Sequence, residues 1–117
     1  MKTGNLFSGI PTVLPQELME DLLVGQRFRL ERIVSKGHRS ADDFWYDQAE
    51  DEWVLLFQGE ARLELESQAE NITLSAGMYL HLPAHVKHRV VWTHQEVETI
   101  WLAIFYSANS ELLDETT

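Results

Sequence analysis

The chain has 117 residues, 44% of them hydrophobic and 24% charged, with a formal net charge of −10 and no cysteine. That length supports one hydrophobic core and one domain, and the composition excludes a disordered chain. An excess of nineteen acids over nine Lys and Arg repels phosphate backbones and argues against a nucleic-acid partner. The lack of cysteine excludes disulfides and thiolate metal sites, and no apolar run is long enough for a membrane span.

The opening segment MKTGNLFSGIP lacks the apolar stretch of a secretory signal, so cytoplasmic residence is expected. Pro11 and Pro15 make residues 1–14 an irregular arm. Leu18, Met19, Leu22 and Leu23 then recur at helical spacing, with Glu17, Glu20 and Asp21 near the start. This pattern predicts a short amphipathic helix over 15–24, ended near Gly25. From Arg27 to Val34 the period changes to two, the mark of a strand covered on one side. Phe44–Asp47, Trp53–Phe57, 61–66, Asn71–Leu74, Tyr79–Leu82, His88–Trp92 and Thr99–Tyr106 read as further strands. Many short strands with Gly and Pro turns indicate a barrel or sandwich. The organisation expected is an arm with helix over 1–26, a β-barrel over 27–108 and an acidic tail over 109–117.

Two segments carry recognisable spacing. Gly77, five residues, Pro83, and then His88 five residues further on form one; His85 and Trp92 stand within it. Glu52, six residues and Gly59 form the other, in EDEWVLLFQGEA. Together they resemble the paired motifs of the cupin superfamily, over roughly residues 30–106. His85 replaces the family's usual glycine, and Trp92 replaces its trailing Asn. Upstream of Glu52 the family's His-x-His is absent: a four-residue gap puts Trp45 and Asp47 at those positions, and a shorter one puts Tyr46 and Gln48 there. The segments HLPAH, HRVVWT and IWLA also resemble a bacterial group of small stand-alone cupins.

The resemblance implies an all-β fold, the double-stranded β-helix or jelly-roll barrel. It also implies a divalent metal ion (Fe, Mn, Ni or Zn) held by Asp47, Glu52, His85 and His88. Imidazole and carboxylate donors converging from different strands suit such an ion. Tyr46 and Glu52 are the candidate proton carriers, and His38, Trp45, Gln48 and Trp92 are candidate pocket residues. The expected function is metal-dependent isomerase, dioxygenase or lyase chemistry on a small organic molecule. The competing reading is a non-catalytic small-molecule sensor with a degenerate metal site. Apolar residues in the arm (Leu6, Phe7, Ile10, Val13) and exposed sheet edges predict a homodimer.

Overall fold

In the computed structural model the described residues are 1–107, so the acidic tail lies outside them. They form eight strands and no helix: β1 (Leu18–Val24), β2 (Phe28–Ser35), β3 (Asp51–Gln58), β4 (Glu60–Leu65), β5 (Ile72–Ser75), β6 (Tyr79–Leu82), β7 (His88–Thr93) and β8 (Thr99–Tyr106). All pairings are antiparallel. One sheet has the order β1-β2-β8-β3-β6 and the other β5-β4-β7. The apolar core lies between them, built from Val54 and Leu56 of β3, Leu63 of β4, Leu74 of β5 and Trp101 of β8.

The predicted helix over 15–24 is a strand instead. Leu18 pairs with Val34 and Met19 with Ile33 along the free edge of β2, and the register shifts between Asp21 and Leu23. Helical spacing of four apolar residues is a weak local preference. Here it loses to tertiary pairing, which satisfies the outer backbone groups of β2. Side chains reinforce that pairing: Glu17 accepts a hydrogen bond from the Ser35 hydroxyl at 2.5 Å, and the Glu20 carboxylate pairs with the Arg32 guanidinium. The same buried Arg32 donates to the carbonyls of Leu6 and Ser8 at 3.0 and 2.6 Å, tying the arm to the outside of the sheet. The barrel sheet therefore begins within the segment assigned above to the arm.

In β3 the side chains alternate: Glu52, Val54 and Leu56 point inward, while Trp53, Leu55 and Phe57 face outward. Trp53 stacks on Tyr79 at 5.5 Å between centroids, and Phe57 meets Phe7 of the arm edge-on at 5.5 Å. Phe44–Asp47 is not a strand, because only Tyr46 makes a bridge, to His88 of β7. Two backbone hydrogen bonds form it: Tyr46 N–H to the His88 carbonyl at 2.8 Å, and His88 N–H to the Tyr46 carbonyl at 3.1 Å. That bridge brings the loop before β3 against the barrel and positions the site.

Candidate functional site

A cavity of about 200 Å³ lies inside the barrel. Tyr46, Gln48, Glu52 and His88 line it on one side, and Glu17, just before β1, and Arg29 and Glu31 of β2 line it on another. Its remaining wall is apolar, including Val54, Leu82, Val90, Trp101 and Phe105.

Glu52 and His88 are both buried and face each other, with His88 Nε2 3.6 Å from Glu52 Oε1. Each is placed by its strand. Glu52 is an inward position of β3, and His88 opens β7 after the turn at Pro83. The Val86 carbonyl accepts a hydrogen bond from His88 Nδ1 at 2.8 Å, so Nδ1 carries a proton and Nε2 is directed at the carboxylate. Gln48 Nε2 donates to the same Glu52 oxygen at 3.2 Å. Tyr46 stacks on the imidazole at 5.3 Å and 21°.

Burial opposes a charge on the His88 ring. The Glu52 carboxylate and the Val86 carbonyl outweigh it, and the pKa rises above the ordinary 6.5. Burial, together with the charges of Glu17 and Glu52, raises the Tyr46 phenol and keeps it neutral, as a donor. Burial likewise pushes the Glu17 carboxyl up, against the Ser35 hydrogen bond and the charge of His38.

A raised folded-state pKa means that the native protein binds more protons than the unfolded chain over that interval. The His88 contribution to stability is therefore complete below pH 6.5 and is lost as pH rises through the folded pKa. Unfolding by urea at successive pH values above 6.5 checks this: stability falls with pH in the wild type, and the slope is reduced in His88→Gln.

The four residues expected to share an ion fall into two separate pairs. Glu52 and His88 meet inside the cavity. Asp47 and His85 meet outside it, 2.8 Å apart, with side chains 41% and 69% exposed. Among the described residues no group of three or more His, Cys, Asp or Glu side chains is gathered where it could hold an ion. A donor set of one carboxylate and one imidazole does not fit a resident first-row metal. His85 takes up the left-handed backbone of the glycine it replaces, at φ 65°. Its ring serves the loop, not the cavity.

Of the expected pocket residues, Gln48 lines the cavity, as does Tyr46, one of the two candidate proton carriers. His38 lines a smaller adjoining one of about 150 Å³ and bonds the Leu14 carbonyl at 2.9 Å. Trp45 lies under the Arg89 guanidinium at 4.3 Å and Trp92 under that of Arg62 at 4.9 Å, and neither lines either cavity. Glu17, Arg29 and Glu31 were not among the expected residues. A signal for the last two was present, since Arg29, Glu31 and Ile33 share one parity along β2.

The Cupin domain family profile matches residues 31–105. No curated protein matches the chain. A protein of Ralstonia eutropha JMP134, described provisionally as a mannose-6-phosphate isomerase, is 41% identical; the match covers 92% of this chain and 100% of that one, with a TM-score of 0.89. A cupin superfamily protein of Desulfitobacterium hafniense DCB-2 is 22% identical over 84% of each chain, at a TM-score of 0.68. An RmlC-like cupin of Methanocaldococcus jannaschii with a double-stranded β-helix fold is 16% identical over 85% of this chain and 87% of its own, at 0.65. The last two show the fold alone. With the family profile spanning more than half the chain and the barrel shared by all three structures, this protein belongs to the cupin superfamily as a small single-domain member.

Proposed function

We propose that the cavity binds a small organic molecule and that Glu52 and His88 transfer protons on it, chemistry of the isomerase type. The observation that carries this reading is the directed pair: Nδ1 of His88 is anchored to Val86, so Nε2 faces the Glu52 carboxylate across 3.6 Å. In its ion-pair form the imidazolium is a proton donor and the carboxylate an acceptor, the two roles that proton shuttling between neighbouring atoms requires. The Tyr46 phenol and the Gln48 amide orient the ligand beside them. The provisional description of the Ralstonia eutropha protein supports the same reaction type, since sugar isomerisation moves protons between adjacent carbons and oxygens.

Cupins commonly bind metals, and an ion entering this cavity would meet Glu52 and His88, supplying Lewis-acid chemistry there. No third His, Asp or Glu is gathered with them among the described residues, so no step is assigned to an ion. That shortage also favours the second reading, a binding module without chemistry. Self-association belongs to the same proposal. Tyr79 is 66% exposed beside Trp53 on the outer sheet face, an apolar surface of the kind a second copy covers.

Deuterium wash-in from heavy water into small hydroxyaldehydes and ketones, followed by NMR, tests the chemistry. Wild-type protein treated with EDTA is expected to exchange the proton next to the carbonyl. Glu52→Gln and His88→Gln are expected to slow the exchange about 10²–10⁴-fold while remaining folded. Binding without exchange in the wild type makes the protein a binding module. Exchange that EDTA abolishes makes it metal-dependent.

A further inference from the structure

We infer that the cavity selects uncharged or cationic molecules with an apolar body and turns away carboxylates and phosphorylated sugars. This deepens the reading above and rests on it for the cavity as the ligand site. Three carboxylates line the cavity, Glu17, Glu31 and Glu52, against one guanidinium, Arg29, and one imidazole, His88. The cations are already engaged. Arg29 Nη1 donates to both carboxylate oxygens of Glu50 at 2.6 Å, its Nε donates to Glu31 at 3.0 Å, and its face lies over the Phe105 ring at 4.3 Å. His88 faces Glu52.

An anionic ligand would thus have to compete with Glu50 and Glu31 for Arg29 and lie against the carboxylates of Glu17 and Glu31. The Arg29–Glu50 pair is half-exposed, with side chains 35% and 38% accessible, so the obstacle is competition for Arg29 and repulsion by the lining carboxylates. In the adjoining cavity Arg39 is paired with Asp42 at 3.0 Å, His38 bonds the Leu14 carbonyl, and Glu17 also faces that cavity. A cation meets the opposite conditions. It gains from Glu17 and Glu31, and the Trp101 and Phe105 rings can take its charge or its apolar body. Eight of the fifteen lining residues are apolar, a surface that favours a hydrocarbon body over a sugar ring studded with hydroxyls.

Benzylamine, benzyl alcohol and benzoate share one ring and differ in charge, so they separate the cases, with mannose-6-phosphate as a fourth probe. Affinities are read by calorimetry, and location by NMR shifts of the Trp101 indole and the His88 ring. Benzylamine and benzyl alcohol are expected to bind at least about tenfold more tightly than benzoate, with shifts at both residues, and mannose-6-phosphate is expected to shift neither. Glu31→Gln removes one carboxylate from Arg29 and is expected to narrow the gap by strengthening benzoate. Benzoate or mannose-6-phosphate binding as tightly as the amine overturns the inference while leaving the cavity as a ligand site. A result in which no probe of any charge shifts Trp101 or His88 overturns the inference and the cavity reading together.

Discussion

Gly59→Ala is expected to lower the stability by about 2–6 kcal/mol, a large share of a small domain's total. Gly59 sits at φ +92° between β3 and β4, in a conformation that side chains rarely adopt. A Cβ there would stand 2.4 Å from the Thr99 Oγ1 and 2.6 Å from the Thr99 Cα. The Cα is the decisive contact. Thr99 is wholly buried at the start of β8, which is paired on both sides by β2 and β3, so its backbone has nowhere to move. Strain of about 1–3 kcal/mol and overpacking of about 1–3 kcal/mol then fall on a domain whose total stability is about 5–15 kcal/mol. Gly77→Ala is the control. Its φ is nearly the same, +93°, but a Cβ there would meet nothing within 4 Å, so only the backbone strain remains. Urea midpoints for the two variants should differ clearly, with Gly59→Ala much the lower. Equal midpoints would show that the Thr99 contact is relieved without cost.

Leu56→Ala is expected to cost about 2–5 kcal/mol, seen as a lower urea midpoint with an unchanged slope. Leu56 is fully buried in the core, between the sheets. Trp53→Ala, three residues earlier in the same apolar run, is expected to cost clearly less despite deleting a larger side chain. Trp53 faces outward and is only partly buried, with Tyr79 stacked against it. The pair of variants separates inward from outward positions of β3, and a greater loss at Trp53 would place the essential packing on the outer face.

That run shows what residue patterns could and could not reveal. Trp53-Val54-Leu55-Leu56-Phe57 is apolar on both faces, so its alternation is invisible in the sequence, although its existence as a strand is plain. Spacing located Glu52, Gly59, Gly77, Pro83 and His88 well, because each holds a backbone or inward position the barrel requires. The same spacing said less about His85. In a left-handed turn, neighbouring side chains do not follow the period of a strand, and its ring points to Asp47 in solvent. β1 was misread because its apolar residues fit a helix locally, and only pairing with β2 decides otherwise. In β2 the alternation was legible but its inner face was not. Alternation alone did not say which face turns inward, and it is Arg29 and Glu31 that line the cavity and make an ion pair there. Charged residues can face inward where a cavity needs them, and hydropathy alone assigns them to water.

The bridge between Tyr46 and His88 gives the two halves of the site unequal resistance to opening. Glu52 and His88 belong to strands woven into the sheets, so separating them requires disrupting the barrel itself. Tyr46 and Gln48 are held by separate links: the two backbone bonds of that bridge, the His85 N–H to Gln48 carbonyl bond at 2.8 Å, the Asp47–His85 contact, the Gln48–Glu52 hydrogen bond and the stacking of Tyr46 on His88. Breaking these leaves the strand pairings of both sheets intact, so the loop can detach at a free energy below that of global unfolding. The Glu52–His88 pair would then keep its geometry while that wall of the cavity moved, and a ligand of cavity size could pass without melting a strand.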